Sequence, residues 1–194
     1  GEIHFAIGYT EANAGTDLAT LKTTAVLEGD HFVVNGSKLF TTDAESADYI
    51  WLACRTNPEE KRHKGISIII VDTKLPGYSL TPIHTVGHRT NTTYFDNIKV
   101  PANMLVGQLN GGWKLITAQL NHERVGLGAF GVKATACFRD VLIWAKTPDE
   151  NGRRAVDEPW VRTALAESYS QIEAMRLLNY RIAADISAGR MDIG

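Results

Sequence analysis

Apolar and polar positions change rhythm about halfway along the chain. Up to about residue 105 the apolar residues come in short, β-branched runs separated by turn residues. Val26 to Val34 carries Glu28-Gly-Asp30 between two such flanks, a hairpin pattern. Tyr49-Ile-Trp-Leu-Ala-Cys54 reads as a short strand. Ile66-Ser-Ile-Ile-Ile-Val71 is β-branched at nearly every position, which predicts a strand buried on both faces. Leu75-Pro-Gly77 reads as a turn. Tyr78–Ile83 and Thr92–Val100 read as further strands, the second stopped by Pro101. Short strands joined by turns, with no long helix among them, predict a sandwich or barrel.

From Gly112 to about Lys146 the period becomes helical, with Ile116, Leu120, Leu127, Phe130, Ala134, Phe138, Val141 and Ala145 on one stripe. Thr147-Pro-Asp-Glu-Asn-Gly152 breaks it. A second helix is expected from about Pro159, where proline suits a first turn, to about Ala188, with Gly189 suited to its end. Val161, Leu165, Ile172, Met175 and Ile182 form its stripe. The expected fold class is therefore α+β: an all-β, sandwich- or barrel-like domain over 1–108, then antiparallel helices of a helical bundle over 109–194. A lone helix pair buries too little to stand by itself, so further helices or a partner are expected to cover it. The chain opens at once into Ile3-His-Phe-Ala-Ile7 and stops just past a helical run, which reads as a piece of a longer protein.

Composition narrows the function only by exclusion. A formal net charge of −2 gives no global attraction to nucleic acid or an anionic membrane. The one basic run, Lys61-Arg-His-Lys64, reads as a solvated loop. Cys54 and Cys137 lie in different expected elements and outside any C-x-x-C pair. Free thiols are expected and a metal site is not. The sequence shows no secretory signal and no apolar run of ~18 residues, so a soluble, cytoplasmic protein is expected. Asn91-Thr-Thr93 fits a glycosylation pattern that matters only in a secreted chain.

One stretch of the helical half carries chemistry, Gln119-Leu-Asn-His-Glu-Arg-Val-Gly-Leu-Gly-Ala-Phe-Gly131. Gly126, Gly128 and Gly131 match a dinucleotide fingerprint, yet no strand precedes them and no βαβ unit follows. They read instead as part of one continuous helix, where they allow close approach of another helix or a ligand. At about 100° per residue, Leu120, Glu123, Leu127, Phe130 and Ala134 share roughly 80° of arc. Glu123 thus falls on the apolar stripe, where desolvation raises a carboxylate towards the range of a general base. A structural ion pair with Arg124, or an interface contact, fits the same placement.

Three polar loops punctuate the β half. Tyr9-Thr-Glu-Ala-Asn-Ala-Gly-Thr-Asp17 follows a strand, with Gly15 and Thr16 at an expected tight turn. Asn35-Gly-Ser-Lys-Leu-Phe-Thr-Thr-Asp43 leads through a turn to Phe40, Thr41 and Thr42. Gly87-His-Arg-Thr-Asn-Thr92 precedes the last long strand. Such loops can turn amides and hydroxyls towards an anion or a heterocycle, but none identifies a function alone.

Taken in order, these runs resemble the acyl-CoA dehydrogenase family of flavoenzymes. The resemblance rests on Tyr9–Asp17, on Asn35–Thr42 with Ala47-Asp48, on Gly87-His-Arg89 and on Phe95-Asp-Asn-Ile-Lys-Val-Pro101. Gly107, Gly112-Trp113 and Leu120-Asn-His-Glu-Arg124 complete it, so it spans nearly the whole chain to about residue 140. Overall similarity is greatest to actinobacterial members acting on steroid-derived CoA thioesters. The family fold is an N-terminal helical domain, a middle β-domain and a C-terminal helical domain. The chain resembles the middle domain and the first helices of the last one, with the N-terminal helical domain absent.

The resemblance implies FAD as cofactor and an acyl-CoA as substrate. Ile7, Tyr9, Thr10, Gly15 and Thr16 would line the flavin, with Thr16 near the pyrophosphate or the acyl-CoA. Phe40 stands where the family usually has a tryptophan against the isoalloxazine. Thr41 and Thr42 follow it, and Thr42 would bond near flavin N5. Asn121, His122 and Arg124 would face substrate. Glu123 occupies the base position of members with an L-x-x-E-R sequence, with Arg124 beside it in the catalytic group. Glu123 would remove the α-proton while the β-hydrogen leaves as hydride to flavin N5. The resemblance also implies an acceptor of the electron-transfer flavoprotein type.

Two departures qualify these expectations. Ala12 replaces the usual proline after Thr10-Glu11. Ala145 to Val156 lacks the Phe-Gly pair that family members contribute to a neighbour's flavin, and Arg153 and Arg154 are poor substitutes by spacing. A hetero-oligomer, a dimer of heterodimers, is therefore expected over a homotetramer. A non-catalytic partner subunit and a flavin monooxygenase or nitroalkane oxidase of the same architecture are the rival readings.

Overall fold

The computed structural model describes residues 1–60, 62–87 and 89–190, without the side chains of Arg124 and Val125. Lys61 of the basic run and His88 of the third polar loop lie outside the described residues. The chain divides into two compact units, 1–116 and 117–194.

The first unit holds eight strands among its described residues: β1 (Phe5–Gly8), β2 (Thr24–Glu28), β3 (His31–Lys38), β4 (Tyr49–Arg55), β5 (Ile66–Asp72), β6 (Tyr78–Ile83), β7 (Thr90–Pro101) and β8 (Leu105–Val106). Their order in one mixed sheet is β6-β7-β3-β2-β4-β5-β8, with β1 paired in parallel to β4. The expected hairpin is present, Glu28 pairing with His31 around a two-residue turn in which Gly29 has φ 65°. The sheet folds over itself, because strands remote in that order share one core. Phe32 and Val34 of β3 and Phe95, Ile98 and Val100 of β7 pack with Ile50, Leu52 and Cys54 of β4 and Ile69 and Val71 of β5. Ile66 and Ile68 turn the other way, into a second cluster with Tyr9, Leu21, Ala53 and Ile116. Strand β5 is thus buried on both faces, as its nearly continuous β-branched run predicts. Both thiols are free; burial pushes Cys54 up to about 12, so it behaves as a small apolar side chain. Arg62, His63 and Lys64 of the basic run form a 3-10 turn with Gly65, and their side chains are exposed.

Helix α1 (Gly112–Leu127) starts in the first unit and continues into the second, followed by α2 (Phe130–Lys146) and α3 (Pro159–Ser187). The single helix expected over 112–146 is therefore two. At Gly128 and Ala129 the hydrogen bonds tighten to three-residue spacing, Ala129 N–H to Gly126 O at 3.1 Å and Gly131 N–H to Gly128 O at 3.1 Å. Glycines lower helix propensity there, and the hydrogen bonds among the described residues at the junction are of three-residue spacing. Helices α2 and α3 are antiparallel: Gly131 lies against Met175 and Asn179, and Phe138 meets Tyr169 at 5.8 Å between ring centroids. A Cβ at Gly131 would stand 3.0 Å from Met175 Cε, so this glycine does permit a close approach. Helix α3 ends at Ser187, capped by Ala188, and Gly189 follows with φ 65°.

Candidate active site

Two of the polar loops leave adjacent points of the first unit. Strand β1 runs out into Tyr9–Asp17, and β3 runs out into Leu39–Asp43. Leu39 N–H donates to Thr10 O at 2.8 Å. Beside that bond, Lys38 Nζ donates to Tyr9 O at 3.0 Å and to Glu11 Oε1 at 2.8 Å. The amides of Lys22 and Thr23 donate to Glu11 at 2.7 and 2.9 Å. Lys38 is 1% exposed and Glu11 8%. Burial pushes Lys38 down, and attraction to Glu11 only partly opposes this. Burial alone would push Glu11 up; Lys38 and the two amides outweigh it and hold the carboxyl below its ordinary value. The tight turn of this loop falls at Ala12-Asn13, closed by Ala14 N–H to Glu11 O at 3.0 Å, and not at Gly15-Thr16 as expected. The anchored Glu11 fixes the chain on one side of the turn, which local residue preference cannot register.

Phe40 is held in a left-handed backbone conformation, φ 58°, and Asp43 likewise, φ 56°. For a bulky aromatic this is strain. The start of β7 holds the loop in place. Thr41 N–H donates to Asn91 O at 2.8 Å, Asn91 N–H returns to Thr41 O at 3.1 Å, and Asn91 Nδ2 adds a bond to Thr41 O at 3.2 Å. The Thr41 hydroxyl is buried against that of Thr93, 3.2 Å away, so its side chain faces inward while Thr42 is exposed. Phe40 gains little from burial, being 57% exposed. Phe40→Gly is accordingly expected to stabilise the fold by about 1 kcal/mol, since a left-handed residue costs roughly 1–2 kcal/mol with a Cβ. Urea denaturation checks this; a clear loss of stability would show that the ring packs after all.

Of the other flavin candidates, Ile7, Gly15 and Thr16 are exposed and Thr10 is half-buried. Tyr9 is buried, its hydroxyl accepting from Trp51 Nε1 at 3.0 Å. The sequence patterns give Lys38, Glu11 and Asn91 no role in this edge. One signal was available for Lys38. It shares the period-2 parity of the buried Phe32 and Val34, which points a charge at the core.

In the second unit, Asn121, His122, Glu123 and Arg124 lie on the last turns of α1. Glu123 is exposed, contrary to the expectation of a carboxylate buried on the stripe, and Leu120, Leu127 and Phe130 of that stripe are exposed with it. Periodicity identifies which residues share a face, not what covers it. Gln119 Nε2 donates to Glu123 Oε2 at 2.9 Å, and His122 Nδ1 lies 2.7 Å from Ala118 O. Asn121 is half-buried, and the Arg124 side chain lies outside the described residues. Further along, Arg154 makes two bonds to Asp157, at 3.0 and 2.8 Å.

Residues 6–98 match the acyl-CoA dehydrogenase middle domain, and residues 110–194 match the acyl-CoA dehydrogenase C-terminal domain. The chain belongs to the acyl-CoA dehydrogenase family. It is 55% identical over 186 residues to the acyl-CoA dehydrogenase FadE29 of Mycobacterium tuberculosis, across 95% of this chain and 48% of that one. Among solved structures, the Tcur3481-Tcur3483 steroid ACAD superposes with a TM-score of 0.89 at 52% identity, over 98% of this chain and 49% of that one. The ChsE4-ChsE5 complex from Mycobacterium tuberculosis gives 0.86 at 46% identity, over the same shares. The chain thus spans about half the length of these relatives.

Acyl-CoA dehydrogenases are FAD-dependent oxidoreductases. The joined edge of the first unit fits such a group. An aromatic ring is held outward at an energetic cost by its backbone, and the joined segments also carry Thr42, exposed, and Thr10, half-buried. Among the described residues no helix is long and apolar enough to cross a membrane, and no group of three metal-ligating side chains is present.

Proposed function

We propose that the protein to which this chain belongs performs FAD-dependent α,β-dehydrogenation of an acyl-CoA thioester. The substrate class is a steroid side-chain or fatty-acyl CoA, a reading supported by similarity to the Tcur3481-Tcur3483 steroid ACAD. The observation that carries the flavin reading is the joined Thr10 and Leu39–Thr42 segments with the strained, exposed Phe40. FAD, when bound, supplies the hydride acceptor. Ile7, Thr10, Gly15, Thr16, Phe40 and Thr42 would hold it, Phe40 through its ring and the threonines through hydroxyls. Tyr9 and Thr41, turned inward, would support that edge through the backbone. Glu123 takes the α-proton of the thioester, with Gln119 fixing the carboxylate and Arg124, Asn121 and His122 facing substrate.

The middle domain is taken as 1–108 and the part of the helical domain present as 109–194. The assembly is a hetero-oligomer, a dimer of heterodimers in which a related subunit supplies the missing flavin contacts. This reading is supported by the absence of Phe-Gly in Ala145–Val156 and by Arg154 being engaged with Asp157. Electrons pass on to an acceptor of the electron-transfer flavoprotein type, and the compartment is the cytoplasm.

The test is expression of the full-length protein with and without a related subunit. Co-purification, a bound-flavin absorbance band and reduction of an artificial acceptor by CoA thioesters are expected. A full-length homomer binding one FAD per chain would sink the heteromeric reading, and an assembly with no flavin would sink the whole. The same residues that miss Phe-Gly favour a second reading, a non-catalytic subunit that completes another chain's site. Under it the assembly turns over unchanged when Glu123 is replaced.

A further inference from the structure

We propose that Lys38 and Glu11 are positioning residues for the cofactor edge: their buried pair holds the Tyr9–Glu11 and Leu39–Thr42 segments in the one arrangement that binds flavin. The proposal rests on the flavin reading above.

The pair is an unusual investment for stability. An ion pair with members 1% and 8% exposed loses most of its Coulomb gain to desolvation, and apolar replacements of similar volume often stabilise as well. What this pair provides is direction. Lys38 Nζ reaches across to Tyr9 O and Glu11 Oε1, while Glu11 also accepts from the Lys22 and Thr23 amides that lead into β2. One buried charge pair therefore ties the exit of β1, the entry of β2 and the exit of β3. Thr10 precedes Glu11 by one residue and has its carbonyl bonded to Leu39, and Phe40 follows Lys38 by two. Lys38 is sealed from solvent, and the nearly buried Glu11 carboxylate is taken up by Lys38 and the two amides, so neither is placed to touch substrate. Their effect must pass through the backbone of the two loops, where a small displacement moves Phe40 and Thr10 together.

The experiment compares Lys38→Met, Glu11→Gln and the double variant in the full-length assembly. It measures FAD dissociation by flavin fluorescence, the visible circular dichroism of bound flavin, and Tm. Each single variant is expected to lower Tm, weaken FAD binding by about tenfold or more and alter the flavin dichroism. The double variant buries no unpaired charge, so its Tm is expected to recover while flavin affinity and dichroism do not. Flavin properties unchanged in the single variants, or recovering together with Tm in the double, would reduce the pair to a structural feature and overturn the proposal. Should Lys38→Met fail to fold, Glu11→Gln and the double variant decide between these outcomes. A wild-type assembly that binds no FAD fells the flavin reading and this one with it. A wild-type assembly that binds FAD, beside unaffected variants, fells this one alone.

Discussion

Glu123→Gln is expected to lower kcat by about 10³-fold in the full-length assembly while the bound-flavin spectrum persists. A positioned general base contributes roughly 10²–10⁴-fold, and glutamine keeps the shape of the side chain but cannot accept the α-proton. It also keeps an oxygen to accept the bond from Gln119, so the local geometry of α1 is preserved. The variant therefore separates proton abstraction from folding and from cofactor binding. Glu123→Asp should fall between wild type and glutamine, because it retains the base and withdraws it by one methylene. Rapid-mixing kinetics of flavin bleaching by a CoA thioester read the step directly. Bleaching at the wild-type rate would remove Glu123 as base and favour the partner-subunit reading. Equal loss of flavin would show that the residue acts on the fold instead.

The second large effect is structural. Gly36→Ala is expected to destabilise the protein by about 2–4 kcal/mol. Gly36 sits at φ 146°, where β3 and β7 slip register between Val34 and Gly36. A Cβ there would stand 2.7 Å from Thr23 Cα and 2.8 Å from Thr23 Cβ, and the backbone atom cannot swing aside. The displacement has a functional direction as well. Thr23 is the residue whose amide binds Glu11, so pushing it away loosens the Lys38–Glu11 pair. Urea denaturation measures the first effect, and a loss below about 1 kcal/mol would show that Thr23 can give way at this point. Flavin affinity of the same variant measures the second.

Much of the fold was legible in the sequence because its signals are local. Short β-rich runs and turn residues marked β2 through β7, and the nearly continuous β-branched run Ile66–Val71 announced the doubly buried β5. Pro159 and Gly189 bracketed α3 within a residue or two. The break at Gly128-Ala129 was missed because a few three-residue hydrogen bonds do not disturb the apolar stripe, which continues through them. Similarly, the tight turn was expected at the glycine of its loop, and tertiary anchoring of Glu11 placed it earlier.

By itself the sequence determined the passage from strands to helices, the family, and which side chains share a face. Glu123 stands with Leu120 and Leu127 on one stripe because helical geometry relates positions three and four apart, whatever surrounds them. Only the tertiary structure decided what covers each face and which distant groups meet. It left the Glu123 stripe exposed within the second unit, turned Thr41 inward against Thr93, and forced Phe40 outward in a strained backbone. It also joined Lys38 to Glu11 across twenty-seven residues of chain. The physical reason is the range of the information. Propensity and periodicity act over one or two turns, whereas burial and ion pairing depend on strand order, which brings together residues that no local pattern relates.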